Sequence, residues 1–363
     1  MVENIHEGFI PDYPVPPGWI LEERLELRNW SQAEFARRCG RSAKLISDIL
    51  AGKAPIEPET AIQFEKVLDL RASVWLGLEA KYQLFLARER EKDQLKQASK
   101  WYRRFPIAEM VKEKIIEAPK DEMEGANYLL VFFGVGGVSG WKAKMGETAA
   151  KARHTPKFKS SDEAVSVWLR LGELEAVKQN CKEYNAAKFK EALHKIRRLS
   201  VLSPKEFHPK MVQLCNDAGV AFVVVPPLSG NKLSGAAWWL QRKTPVIQLS
   251  LRGKYNDLFW FTFFHEAAHI LLHSRKATFV DEGTVDGTDE ENEANSWARD
   301  FLISPEDWKE FCFQGIFSKD SIVQFSLEQG IAPAIVLGRL QFEEKIKWGS
   351  PLNRSLKQRY EFS

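Results

Sequence analysis

From Leu258 to His273 the chain reads Leu-Phe-Trp-Phe-Thr-Phe-Phe-His-Glu-Ala-Ala-His-Ile-Leu-Leu-His. No other segment so narrows what the surrounding residues can become. The run exceeds the five or six residues of an ordinary strand and suits a buried helix of about four turns. Upstream, β-branched and aromatic residues alternate with turn signals. Val-Ala-Phe-Val-Val-Val reads as a strand stopped by Pro226 and Pro227, and Ala-Ala-Trp-Trp-Leu and Pro-Val-Ile-Gln-Leu-Ser-Leu read as two more around the turn Gln241-Arg242-Lys243-Thr244. A further helix is expected from Glu291 to Leu302.

Within the apolar run, His265 and His269 stand four residues apart. A helix stacks such a pair on one face, so both imidazoles can reach one ion, and the pattern suits zinc. Glu266 follows the first histidine, about 100° around the helix, where it can face an open coordination position and take a proton from the attacking water. The competing reading is a core helix whose histidines are satisfied by hydrogen bonds. A catalytic zinc needs a third protein ligand, and Asp289-Glu290-Glu291-Asn292-Glu293-Ala294-Asn295 offers several carboxylates.

Over about 206–340 the sequence resembles the ImmA/IrrE metallopeptidases, which pair a His-Glu-x-x-His helix with a later Glu-x-Glu-Ala-Asn-x-hydrophobic-Ala helix. Glu291, Glu293, Ala294, Asn295, Trp297 and Ala298 carry that match, with the Lys-Leu-Ser-Gly-Ala-Ala-Trp-Trp segment and the Ile-Ser-Pro at 303–305. The resemblance implies Glu293 as third ligand, with Glu290 as second choice, and small Ala294 and Ala298 where two helices approach. His273 lacks the glycine bend and third histidine of the metzincin pattern, so it is expected beside a ligand and not on the metal. Asp300 and Asn295 are further candidates for orienting a ligand, because Trp297 occupies the position where thermolysin-like enzymes keep an aspartate. Tyr255 and His208 are candidates for stabilising an oxyanion. The strands before the helix are expected to offer an edge to an extended peptide.

The amino-terminal part is of a different kind. Asn-Trp-Ser-Gln-Ala-Glu-Phe-Ala-Arg-Arg-Cys-Gly-Arg-Ser-Ala-Lys-Leu-Ile-Ser-Asp-Ile-Leu-Ala-Gly-Lys lays out one helix opening at Ser31, a turn at Gly40 and a second helix from Ser42. Ser31 and Glu34 have capping-box spacing. Ala33, Phe35, Ala36, Leu45, Ile46, Ile49 and Leu50 recur at core spacing, leaving Gln32, Arg41, Ser42, Lys44, Ser47 and Lys53 outward as donors for phosphates and base edges. Over about 16–90, Ser47-Asp48-Ile49-Leu50-Ala51-Gly52-Lys53 and Trp75 to Tyr82 resemble the HigA-type antitoxins of the Xre helix-turn-helix class. That resemblance implies double-stranded operator DNA as a partner and a homodimer reading two half-sites.

With 363 residues, 44% of them hydrophobic and 28% charged, the chain exceeds one ordinary domain and has the composition of a globular protein. The expected fold class is multidomain and mainly α, with an α+β zincin-like carboxy-terminal domain whose small sheet packs on the metal-binding helix. The expected divisions are an extended lead-in over 1–15, the helix-turn-helix bundle over 16–90, a helical middle region over 91–202, the metallopeptidase domain over 203–345 and a basic tail over 346–363. The net charge of +3 names no partner. Cys39, Cys181, Cys215 and Cys312 are scattered without paired spacing, as buried reduced thiols are. Gly-Val-Gly-Gly at 134–137 lacks the ending of a phosphate loop and reads as a turn. Arg88 to Lys92 alternate in sign, as on a solvated helix face. Without a signal peptide or a run of about 18 apolar residues, the chain is expected in the cytoplasm, away from membranes. The functional expectation is a DNA-binding regulator or antitoxin fused to a Zn2+-dependent endopeptidase that cuts a cognate toxin or repressor protein. The alternative is a non-catalytic antitoxin and autorepressor whose peptidase-like domain binds a toxin or senses a ligand.

Overall fold

The structure, a computed structural model, describes residues 15–151, 161–251, 255–273, 279–281 and 289–360. All but the last residue of the expected lead-in lies outside them. The chain forms two compact units, one of Met1–Ser99 with Glu122–Glu124 and one of Lys100–Asp121 with Gly125–Ser363.

In the first unit, helices α1 (Pro17–Glu26), α2 (Gln32–Cys39), α3 (Ala43–Leu50) and α4 (Pro58–Leu68) and the start of α5 (Ala72–Tyr102) enclose a core that includes Leu21, Phe35, Ile46, Phe64 and Trp75. Ser31 and Ser42 each cap a helix by accepting a backbone N–H, from Glu34 at 3.2 Å and from Leu45 at 3.1 Å. The capping box is only half built, because the Glu34 carboxylate accepts from Arg37 and Arg38. Gly40 ends α2 with φ +62°, a left-handed conformation that costs glycine little and lets α3 set off in a new direction. Ala33, expected in the core, is exposed, and Leu45 and Leu50 are half-buried. Gly18 presses on the end of α3: a Cβ there would lie 2.5 Å from the Ile49 carbonyl oxygen.

The second unit takes in the end of α5, then α6 (Ile107–Lys112), α7 (Glu122–Phe133) from Gly125 onward, and α8 (Val138–Lys151). Trp101, Phe105, Phe133 and Trp141 meet there largely edge to face. Gly134, at φ +64°, makes the expected turn between α7 and α8. Then come α9 (Asp162–Lys178), α10 (Ala186–Arg198), α11 (Pro204–Asp217), strands β1 (Ala221–Val224), β2 (Gly235–Leu240) and β3 (Thr244–Leu249), the long helix α12 (Asn256–Leu272), β4 (Phe279–Asp281) and α13 (Asp289–Leu302). Helices α14 (Pro305–Phe313), α15 (Lys319–Gln329), α16 (Pro333–Phe342) and α17 (Leu352–Leu356) follow.

The strands form one sheet in the order β1-β3-β2-β4, with β1 parallel to β3 and the other pairings antiparallel. Alternation divides its residues between two faces. Phe222, Ala237, Ile247 and Leu249 join the core around α12, while Ala221, Val223, Ala236 and Val246 belong to small clusters on the other face, the first four-residue set lying with Phe259, Trp260, Phe263 and Phe264. Each of these aromatic side chains, once buried, contributes on the order of 1.5–3 kcal/mol to holding the helix.

Three sequence expectations change. Strand β3 is interior, pairing with β1 and β2, and the first half of β2, Gly235–Ala237, pairs with β4 as well as β3. Neither β3 nor that part of β2 offers the free edge foreseen for a peptide, and Trp239 of β2 packs against Tyr184 at 5.2 Å between ring centroids. Helices α9 and α10 of the middle region, expected only as helical, pack on the elements that follow them. Trp168 of α9 donates to the Val225 carbonyl at 2.8 Å, Gln248 of β3 donates back to the Trp168 carbonyl at 2.7 Å, and α10 adds Phe189, Leu193 and Ile196 to the α12 core. Finally, the basic tail is built into the domain. Gln358 exchanges hydrogen bonds with Asn256, Trp260 donates to the Tyr360 hydroxyl at 3.1 Å, and Lys357 pairs with Asp257 where both are buried. All four cysteines are free, Cys39 and Cys215 buried and the other two half-buried. Among the described residues no helix is long and apolar enough to cross a membrane.

Candidate metal centre and candidate nucleic-acid interface

Helix α12 carries His265 and His269 on the face turned toward α13, both almost fully buried. Their Nε2 atoms lie 3.0 Å apart, and the Glu291 carboxylate places one oxygen 3.2 Å from His265 and the other 3.4 Å from His269. Among the described residues, this is the group of histidine, cysteine and acidic side chains that converges closely enough for one metal ion. Zinc bonds of about 2.0–2.1 Å in a tetrahedron give ligand separations of about 3.3 Å, so three of its corners fit. Burial lowers the tendency of His269 to protonate, against the raising influence of the Glu291 carboxylate beside it, and so favours the neutral imidazole that ligates metals. Burial alone would raise the Glu291 carboxyl, but the neighbouring imidazoles of His265 and His269 outweigh it and hold the group at about 2.

The carboxylate that converges with the two histidines is therefore Glu291 and not Glu293, which the sequence reading preferred as third ligand. Along α13, Ala294, Ala298 and Leu302 are buried, and Glu291 precedes Ala294 by three residues on that same face. Glu293 is about 200° of helix rotation from Glu291. Its side chain is 60% exposed against 24% for Glu291, and it meets His273 at 3.2 Å. Glu290, the second choice, is exposed. The stripe of small residues at 294 and 298 could have identified the buried face before any coordinates. Counting from Glu291, the residue four positions on is Asn295, an amide where the thermolysin-like pattern has aspartate.

Glu266 is completely buried against β2. A Cβ on Gly235 would lie 2.5 Å from its Oε1 and 2.7 Å from the Thr262 Cγ2, so a bare glycine backbone forms the wall behind the carboxylate. Sequence reasoning missed this glycine. His273 joins the site through its Nδ1, 2.9 Å from the His269 Nδ1. The other candidates stand elsewhere. Asp300 pairs with Arg299 at 2.7 Å, about 13 Å along α13 from Glu291. Tyr255 precedes α12, about 15 Å along its axis from His265, with the Arg359 guanidinium 5.4 Å from its ring. His208 lies on α11 against the Phe222 ring, 5.8 Å between centroids, and burial lowers its pKa.

In the first unit, Gln32, Ser42, Lys44, Ser47 and Lys53 are exposed around α2 and α3. Arg41 is half-buried and donates from Nε to the Gln63 side-chain carbonyl, which ties it to α4. The Ser42 oxygen accepts the cap hydrogen bond, leaving its O–H able to donate outward. Asp48 is half-buried, with its backbone carbonyl accepting from Lys53 at 2.7 Å.

Residues 21–75 match the helix-turn-helix family model, and residues 215–319 match that of the IrrE N-terminal-like domain. An uncharacterized HTH-type transcriptional regulator of Escherichia coli K12, YddM, is 37% identical over 68 residues, which are 19% of this chain and 72% of that protein. Solved structures similar to the same part include the Pseudomonas aeruginosa antitoxin HigA with its promoter, at 30% identity, 23% of this chain, 94% of that one and a TM-score of 0.22. A putative antidote protein of a plasmid maintenance system from Nostoc punctiforme matches at 28% identity over 23% of this chain and 93% of its own, with a TM-score of 0.23.

Proposed function

Because this chain belongs to the helix-turn-helix transcriptional regulators through its amino-terminal domain and carries an IrrE N-terminal-like peptidase domain behind it, we propose that it is an operator-binding regulator whose second domain is a zinc endopeptidase cutting one specific partner protein. The observation that carries this reading is the convergence of His265, His269 and Glu291 at tetrahedral spacing beside the fully buried Glu266. A purely structural zinc site is closed by four protein ligands, whereas three leave a corner open.

His265, His269 and Glu291 would hold the ion. What zinc supplies when bound is Lewis-acid chemistry: acidification of water and polarisation of a carbonyl. Glu266 takes the proton of the attacking water and passes it to the leaving amine, and the Gly235 backbone keeps its carboxylate from retreating. The partner is a cognate toxin or repressor, and two copies of the chain read two half-sites through the exposed donors of α2 and α3.

The test takes the purified full chain, measures its zinc, and incubates it with the product of the neighbouring gene. Wild type and Glu266→Gln both hold one zinc, Glu291→Ala does not, and only wild type cuts the partner. Stoichiometric zinc with a partner that is bound but never cut would replace the endopeptidase with the antitoxin reading.

A further inference from the structure

We infer that His273 and Glu293 form a positioning relay behind the metal centre, fixing His269 in the tautomer and ring orientation that leave its Nε2 lone pair for the ion. The inference rests on the zinc site proposed above. Histidines 265, 269 and 273 follow one another at four-residue intervals along one helix face, and each ring meets the next, with centroids 4.7 and 5.0 Å apart.

A neutral imidazole has one N–H and one lone pair, and the partner of one nitrogen decides the state of the other. Between His269 and His273 the two Nδ1 atoms are 2.9 Å apart, so a single hydrogen lies between them. Glu293 decides which ring owns it. The His273 Nε2 is 3.2 Å from the Glu293 Oε2, and a carboxylate only accepts, so the neutral His273 ring carries its hydrogen on Nε2 and presents a lone pair at Nδ1. The hydrogen between the rings therefore belongs to His269 Nδ1. The lone pair of His269 Nε2 then points at His265 and Glu291, where the ion would sit. Without the relay, the alternative His269 tautomer would aim an N–H into the donor set.

The arrangement gives separate work to two glutamates two residues apart. Glu291, on the buried face of α13, completes the donor set, while the mostly exposed Glu293 reaches past it to the residue that ends α12. Hydrogen-bonded carboxylates that orient ligating histidines are typically worth 10–100-fold in metal affinity.

The experiment measures zinc affinity by chelator competition and records the cobalt(II) absorption spectrum of the full chain, both independent of any substrate. Glu293→Ala and His273→Ala each weaken zinc binding on the order of 10–100-fold and shift the cobalt bands. Glu293→Gln weakens it less than Glu293→Ala, since an amide oxygen still accepts from His273. The double variant is no weaker than His273→Ala, because the two side chains act in series. Glu290→Ala removes the same charge from an exposed site and keeps wild-type affinity. Glu293 is exposed enough that its loss does not unfold the domain. If Glu293→Ala matches Glu290→Ala in affinity and spectrum, the relay is overturned while the metal site stands. If Glu293→Ala abolishes binding as fully as Glu291→Ala, Glu293 is a ligand and the relay is wrong. Wild-type protein that takes up no zinc overturns the site itself and the relay with it.

Discussion

Replacing Gly235 with alanine places a methyl group where the backbone of β2 now touches the Glu266 side chain. The new carbon would sit 2.5 Å from Oε1 and 3.0 Å from Cγ of Glu266, and 2.7 Å from Cγ2 of Thr262. Ordinary contact begins at about 3.4 Å, so the carboxylate or the strand must yield by about 0.9 Å in a fully packed interior. Glu266 has no solvent on its far side to move into, being 0% exposed. Overpacking of this kind costs about 1–3 kcal/mol, and at about 2–4 °C per kcal/mol the melting temperature falls by roughly 2–12 °C. In the proposed function Glu266 accepts the proton of the attacking water, so a displacement of about 1 Å at its carboxylate is expected to lower partner cleavage by about 100-fold. Zinc content stays at one, since His265, His269 and Glu291 are untouched. The cause is separable by thermal melting: Gly235→Ala combined with Thr262→Ser and Glu266→Ala, which remove the atoms in the way, recovers most of the lost stability relative to that pair alone. A Gly235→Ala protein that melts with wild type and cleaves at the wild-type rate would refute the close approach and its role.

Three further outcomes follow from other parts of the molecule. Arg41→Ala with Lys44→Ala weakens operator binding and flattens its salt dependence by roughly one to two phosphate contacts, read by titration at several salt concentrations; unchanged binding removes these residues from the interface. Lys357→Met leaves Asp257 buried without its cation and destabilises the second unit by about 3–5 kcal/mol, whereas Lys357→Met with Asp257→Leu recovers much of the loss; equal melting curves for the two would show that the pair contributes nothing. Gly18→Ala forces α1 away from the backbone of α3, and thermal melting of the first unit registers a loss of about 1–3 kcal/mol, which a wild-type melting curve would contradict.

The features legible in the sequence were those with a period or a chemical signature. The α12 run and the Ser42-capped α3 announced themselves, and the spacing of His265 and His269 needed only helix geometry. Glu293 misled because the resemblance was followed residue by residue; the buried face of α13 is set by Ala294 and Ala298, and Glu291 is the glutamate that shares it. The pairing of β2 with β4 depends on three residues far along the chain, and no local pattern marks so short a strand. Gly235 looked like any strand-leading glycine because its constraint comes from a side chain 31 positions later. The carboxy-terminal residues looked like a tail because their charge is visible locally while the carboxylate that buries Lys357 is not.

That tail also sets an order of events. Asp257, Asn256 and Trp260 at the start of α12 find their partners in Lys357, Gln358 and Tyr360, about a hundred residues later. The first unit is built from neighbouring helices and can fold as it leaves the ribosome. The metal helix must wait, with a buried carboxylate uncompensated, until residue 360 has been made. During synthesis the helix-turn-helix unit therefore forms before the helix that carries His265 and His269 has all of its partners.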